Sequence, residues 1–240
     1  MNEFSLSVVI PATDESCSLT ETVEYIEEKC AVRPEKVIIV LSRNASEACC
    51  KAAEELKNRY GDYVDITVQK EDGLGCAVQH GIDELQTSHM TFFPADLALE
   101  LESLDRMILS AKASPDIIFK TSRWKEKDSF VEYDRVRLVL NRIAQIFLRV
   151  LFLSDLTDLT NPVQIIPSEY QKSIKWREKG FCILIEQTIV PIRLGYKIKE
   201  VPAKCYPRTE GKSKNSWMQT ALYLKTAFRV RFTPKSKLYK

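Results

Sequence analysis

Four short runs in this chain carry residue types that can handle phosphates, sugars or metal ions. PATDES, 11–16, puts Asp14 and Glu15 just after an apolar β-branched run, where two carboxylates can accept hydrogen bonds from base or ribose donors. Capping of a following helix by Asp14 or Ser16 is the plainer use of the same residues. GLG, 73–75, offers Gly73 and Gly75 for a positive φ or a close backbone approach at a helix start, where free N–H groups favour an anion. FFPADLALE, 92–100, ends an apolar segment in the lone carboxylate of Asp96, which is either a helix cap or the remnant of a metal and phosphate site. PRTEGKSK, 207–214, sets Arg208 and Lys214 around a glycine. A guanidinium fork suits phosphate oxygens and a lysine supplies a mobile point charge, the alternative being a solvated basic loop.

The elements that must position these runs alternate along the chain. Ser5–Ile10, Lys36–Leu41, Val64–Val68, Met90–Phe93 and Asp116–Phe119 read as short strands bounded by turn residues, with helical periodicity over 17–31, 46–59, 75–85 and 100–112 between them. Strand then helix, four times over, predicts an α/β fold with right-handed crossovers and a mostly parallel central sheet flanked by helices. Ligands of such sheets sit beyond the carboxyl ends of the strands, which puts Pro11 to Glu15, Ser42 to Ala45 and Pro94 to Asp96 on one edge. Pro11 is expected to end the first strand, and Ser46, with Glu47 in the first turn, to cap the second helix. Further on, Tyr133–Leu153 and Phe181–Leu194 are helical in period and Lys197–Pro202 reads as a strand.

A chain of 240 residues with 45% hydrophobic and 28% charged side chains suits one large domain, expected over 1–216, followed by a basic amphipathic tail over 217–240. A net charge of +2 selects no nucleic-acid partner, so electrostatic arguments must be local. Seven cysteines, an odd number without C-x-x-C pairing, read as reduced structural thiols, and His80 and His89 are not spaced as a metal pair. With no leader-like start and no apolar run long enough to span a bilayer, the expected location is cytoplasmic.

The ordered set of motifs resembles family 2 glycosyltransferases. SVVIPATDES is similar to their first strand and Pro-Ala-Tyr-Asn-Glu loop, EDGLGCAVQHGID to their Gly-x-Gly-x-Ala-x-x-x-Gly helix start, PADLALE to Asp-Ala-Asp-Leu-Gln, and EVPAKCYPRTEGKSK to Glu-Val-Pro followed by Arg-x-x-Gly-x-Ser-Lys. With DLTNPVQ, the order looks most like the polyprenyl-phosphate sugar transferase branch, over about residues 5 to 216. The resemblance implies a single nucleotide-diphospho-sugar transferase (GT-A) domain, Rossmann-like, that binds a GDP- or UDP-linked sugar through Pro11, Ala12, Asp14, Glu15, Ser42, Gly73, Gly75, Ala95 and Asp96. It implies Asp96, Arg123, Arg208 and Lys214 as catalytic groups around the leaving diphosphate, and Asp96 as the ligand of a divalent ion, Mg or Mn. Asp158 and Glu186 match family acids, as acceptor-side groups or as a cap and a buried hydrogen-bonding residue. The chain departs from the pattern at Leu41, Ser42, Leu74, Pro94 and Ala98, and at 162–164, where Gly-Phe-Arg is replaced by Pro162, Val163 and Gln164.

The implied partners are a nucleotide sugar and a lipid-phosphate acceptor, attacked by inversion, with a membrane surface reached peripherally from the inner face. Arg135–Leu153 and Trp217–Lys240 combine apolar faces with Arg and Lys as interfacial helices do, although the first also suits a helix packed on the sheet with its arginines outward. Two other readings stand beside this one. A non-catalytic descendant of the fold, kept as a binding module, would explain the missing acids, and a nucleotidyltransferase on a similar sheet would release pyrophosphate from a nucleoside triphosphate.

Overall fold

Strands rich in Val and Ile whose successive side chains are all apolar must be covered on both faces. The computed structural model describes residues 4–210 and 217–240, the side chains of 217–220 apart. Its strands β1 (Leu6–Ala12), β2 (Lys36–Leu41), β3 (Val64–Val68), β4 (His89–Phe92), β5 (Ile118–Ser122), β6 (Gln164–Pro167) and β7 (Ile198–Pro202) form one sheet in the order β3-β2-β1-β4-β6-β5-β7. β6 runs antiparallel to β4 and β5; every other neighbouring pair is parallel. The helices are α1 (Cys17–Glu28), α2 (Glu47–Tyr60), α3 (Leu74–Asp83), α4 (Glu102–Ala113), α5 (Arg135–Phe152), α6 (Ser168–Ser173), α7 (Ile183–Leu194) and α8 (Trp217–Phe232).

The two-residue period of the strands sorts the core into two layers. Val8 and Ile10 of β1 and Val37 and Ile39 of β2 pack with Leu19, Val23, Leu56, Leu104 and Met107 of α1, α2 and α4. Val9, Ile38 and Val40 face the other way, onto Val78, Ile82, Ile185 and Ile189 of α3 and α7 and onto Ala227 and Val230 of α8. The expected mostly parallel α/β sheet with helices on both faces is therefore present.

Four elements depart from the sequence reading. β1 continues one residue past Pro11, with Ala12 opposite Leu41. β5 lies at 118–122 rather than 116–119, because Lys120, Thr121 and Ser122 are polar yet fully buried and disguise the strand's second half. β6 and α6 were not anticipated: a four-residue strand and a six-residue helix are shorter than the windows in which periodicity shows.

α5 is also unlike a helix packed on a sheet with only its arginines outward. Of its eighteen residues, Gln145, Leu148 and Phe152 are buried. Val136, Val139, Ile143, Ile146 and Val150, spaced three and four apart, stand in solvent beside the exposed Arg135, Arg137 and Arg142. Phe147 of α5 meets Phe228 of α8 edge-on at 5.8 Å, and Phe228 stacks on Phe232, so the exposed apolar face continues from one helix to the next.

The sheet order decides which loops can share a ligand. β1, β2, β4, β5 and β7 all end on one edge, and the antiparallel β6 begins there, so the segment leading into it arrives at the same place.

Candidate functional site

Beyond β4 the chain turns sharply at Leu97, whose φ of +53° is left-handed. The turn lets Asp96 Oδ1 accept the amide of Ala98 at 3.1 Å, while Arg208 Nε lies 3.1 Å from Oδ2. Asp96 is thus no helix cap; α4 starts six residues later, at Glu102. Backbone bonds from Tyr206 N to Ala98 O, 3.0 Å, and from Thr209 N to Asp96 O, 3.3 Å, lay the 206–209 segment along this loop. Burial pushes the Asp96 carboxyl above its ordinary pKa and Glu15 adds a like-charge push; Arg208 and the Ala98 amide act against both. Lys214 lies outside the described residues.

The loop after β1 is stitched to the loop after β2. Ser42 N donates to Ala12 O at 2.9 Å and Ser46 N to Thr13 O at 2.8 Å. Ser46 caps α2 as expected, accepting the amide of Cys49 at 3.2 Å. Glu15 turns its carboxylate back on its own loop, taking the amides of Thr13 at 2.8 Å and Asp14 at 3.1 Å, and leaves Asp14 exposed. The start of α1 is capped from elsewhere. Ser16 occupies the N-cap without a side-chain cap bond, and Glu210 accepts the amides of Ser16 and Ser18 at 2.8 and 3.1 Å and the Ser18 hydroxyl at 2.7 Å. Burial alone would raise the Glu210 carboxyl, but these donors outweigh it and bring it down to about 2.

Gly73 and Gly75 are required by a close approach, and what approaches is protein backbone. A Cβ at Gly73, where φ is +120°, would lie 2.3 Å from Lys179 O, and one at Gly75 would lie 2.0 Å from Glu178 O. Cys76 N donates to Lys179 O at 3.2 Å, so the first turn of α3 is already covered by the 178–180 loop. That loop is held in turn by Glu186, fully buried, which accepts the amides of Arg177 and Glu178 at 3.0 Å and pairs with Arg229 of α8 at 2.6 Å.

Arg123 is held in a buried pair. Its Nε and Nη2 grip Asp158 at 2.7 and 2.9 Å, a two-pronged geometry, and Gln145 of α5 adds a bond to the same carboxylate at 3.0 Å. Lys120 Nζ, also buried, donates to the Asp158 carbonyl, and Glu200 of β7 accepts the amides of Thr157 and Asp158 at 2.7 and 2.8 Å. Burial would raise the Asp158 carboxyl, but Arg123 and Lys120 outweigh it and hold it far below the usual carboxylate range. Complete burial pushes the Lys120 ammonium down to about 8, against the pull of Asp158 and Glu200.

The edge therefore brings Asp14, Glu15, Ser42, Asp96 and Arg208 together in loops that touch, and sets Arg123, Asp158 and Glu186 in ion pairs. Glu210, Lys120, Glu200 and Arg229 escaped the sequence reading. Glu200 and Glu210 stand in EVPAKCYPRTEGKSK with no role read for them; Lys120 hid the end of its strand, and the partners of Glu210, Glu200 and Arg229 lie tens to almost two hundred residues away. For a divalent ion, Asp96 is a single hard-oxygen donor, and among the described residues no group of three or more His, Cys, Asp or Glu is placed to hold a metal. A magnesium or manganese ion can be held by one carboxylate when substrate phosphates and water supply the remaining ligands. Asp96 fits an ion shared with a bound diphosphate.

Three comparisons bear on this site. A family model described as glycosyl transferase family 2 matches residues 7–170. The polyprenol monophosphomannose synthase of Mycolicibacterium smegmatis is 26% identical over 216 residues, covering 87% of this chain and 80% of that protein. Solved structures of glucosyl-3-phosphoglycerate synthase from Mycobacterium tuberculosis share the fold. One, in complex with Mn2+, UDP and phosphoglyceric acid, has a TM-score of 0.69 at 14% identity, covering 97% of this chain and 80% of that one. Another, with Mg2+ and UDP, has a TM-score of 0.69 at 14% identity, covering 98% and 79%.

Two outcomes follow from the geometry. Gly75→Ala forces the Glu178 carbonyl to move and should cost about 1–3 kcal/mol in urea unfolding, a typical penalty for overpacking; an unchanged midpoint contradicts the packing described. Lys120 holds its proton less tightly folded, at about 8, than at the ordinary lysine value of 10.5. The unfolded state then binds more protons across that window, so the burial penalty is full below about 8 and fades towards 10.5. The stability of the wild type relative to Lys120→Met should rise with pH between those values, read from unfolding curves at each pH.

Proposed function

The chain belongs to glycosyl transferase family 2, and on that premise we propose that this glycosyltransferase moves a sugar from a GDP- or UDP-linked donor to a polyprenyl phosphate, with inversion at the anomeric carbon. The observation that carries the lipid acceptor is the face of α5 and α8, where exposed Val, Ile and Phe side chains stand beside Arg135, Arg137 and Arg142. Apolar side chains next to arginines suit a bilayer interface with anionic headgroups. Among the described residues no helix is long and apolar enough to cross a membrane, so contact through this face would be peripheral. The likeness to a polyprenol monophosphomannose synthase supports the same acceptor class.

The chemistry asks little proton transfer of the protein. An acceptor phosphate is anionic near neutral pH, so its oxygen attacks the anomeric carbon without a strong general base while the bond from that carbon to the β-phosphate oxygen breaks. The electron pair leaves with the nucleoside diphosphate, and stabilising that charge is the main task. Arg208, half-exposed at the carboxyl edge beside Asp96, can turn a guanidinium edge to the diphosphate. Asp96 fixes where that guanidinium rests beforehand. A divalent ion, when bound, would be held by Asp96 and would neutralise charge on the same leaving group. Asp14, Glu15 and Ser42 lie in the two stitched loops beside it and are assigned to the nucleoside.

The substituted acids favour a second reading, in which the fold survives as a binding module without turnover: Pro94 and Ala98 flank Asp96 where the resembling family has an acid and a glutamine. Binding and surface measurements separate these outcomes. Titration calorimetry with UDP and GDP should show saturable binding of one of them, and Arg208→Ala should weaken it about tenfold or more, on the order of one charge-assisted contact. Absence of binding by either nucleotide contradicts both readings. The protein should float with vesicles containing anionic lipid, and Ile143→Glu with Val150→Glu should abolish flotation while leaving nucleotide binding intact; flotation that survives both changes removes α5 as the docking face.

A further inference from the structure

Glu210 plays no part in the reaction outlined above, yet it ties the segment lying along the loop after β4 to the start of α1, just after the loop that follows β1. Its carboxylate accepts the amides of Ser16, Cys17 and Ser18 at 2.8, 3.3 and 3.1 Å and the hydroxyls of Ser16 and Ser18 at 3.4 and 2.7 Å, from 192 to 194 residues away. These are the orphan donors at the start of α1, immediately after Glu15, which a cap must satisfy. Ser16, in the N-cap position, does not do so. Two residues before Glu210, Arg208 faces Asp96, and the backbone of Tyr206 and Thr209 is bonded to Ala98 and Asp96. Residues 206–210 therefore cross from the loop after β4 to the loop after β1, fastened at both ends.

The Arg208 side chain is 43% exposed, so packing alone does not hold it; its position depends on the pair with Asp96 and on the backbone that carries it. Without the Glu210 end, ordering that segment and its long side chain would have to be completed when the nucleotide binds, at a cost in affinity. We propose that Glu210 is a positioning residue of the donor site, which fastens residues 206–210 across the edge and presents Arg208, already ordered, to the donor diphosphate. This rests on the nucleotide-sugar reading and adds to it a residue that touches neither substrate nor the reacting atoms. Its effect falls on donor affinity, because Glu210 meets α1 directly after the loop assigned to the nucleoside, while Arg123 and Asp158 are paired independently of it.

The test is calorimetric titration of UDP and GDP into the wild type, Glu210→Ala, Glu210→Gln and Ser18→Ala, alongside donor and acceptor kinetics. Expected are a Kd and a donor KM raised about tenfold in Glu210→Ala and Glu210→Gln, a smaller rise in Ser18→Ala, and little change in kcat or in the acceptor KM. Amide exchange at Ser16 and Ser18 should accelerate in Glu210→Ala in step with the loss of affinity. Equal Kd and donor KM in the wild type and Glu210→Ala overturn the proposal, as does a loss confined to kcat and thermal stability. Should Glu210→Ala fail to fold, Ser18→Ala and Glu210→Gln carry the test, and unchanged donor affinity in both overturns it. If the wild type binds neither nucleotide, the donor-site reading fails and this inference falls with it; if the wild type binds and the variants bind equally well, only this inference fails.

Discussion

A buried charge has to be paired, and the pairing of Asp158 organises the second half of this molecule. Its side chain has no exposure, and Arg123, Gln145 and the backbone of 160–161 supply the donors it needs. Those partners come from the end of β5, from α5 and from the entry to β6, while Glu200 of β7 grips the neighbouring amides. The carboxylates of Asp158 and Glu200 thus join three strands and a helix that sequence distance would otherwise leave independent. Losing either member would strand an unpaired ion in the interior, a cost of about 3–5 kcal/mol. With Arg123 held there, the cations and acids remaining at the carboxyl edge are those of the first loops and of the 206–210 segment.

The same edge shows how a loop that carries one acid, Asp96, could still serve the proposed donor site. Asp96 is buried enough for its carboxyl to be pushed up in pKa, and Arg208 answers that with a guanidinium 3.1 Å away. A positive group is therefore already present where a diphosphate would arrive. The exposed face of α5 and α8 provides the other half of the account, because a lipid acceptor brings its phosphate to the protein only at a surface the protein can touch. Arginines beside Val, Ile and Phe would supply both terms of the proposed attachment, charge and apolar area.

Much of the first half of the fold was legible because its signals are local. β2 and β3 occupy the expected 36–41 and 64–68, since runs such as KVIIVL bury alternate residues on both faces and leave no other use for them. The cap at Ser46 was legible for the same reason, its donor Cys49 lying three residues on. β6 was not, since four residues carry no period and an antiparallel direction is set by where the chain returns. The site divides in the same way. The loops holding Glu15, Ser42, Asp96 and Arg208 follow from strand ends plus topology, whereas the partner of Arg123 and the cap supplied by Glu210 depend on contacts 35 and almost two hundred residues away. Gly73 and Gly75 show the limit of motif reading: their need for space was visible, but the backbone of 178–179 that fills it was not.

The central claim is transfer of a sugar onto a lipid phosphate. Its most direct measurement incubates the protein with labelled GDP- and UDP-sugars and vesicles carrying polyprenyl phosphate, then follows the label into the organic phase with equimolar release of the nucleoside diphosphate. The account predicts a lipid-soluble product from one donor, lost in Arg208→Ala. Release of labelled sugar into water alone, or no turnover while nucleotide binding persists, would contradict it.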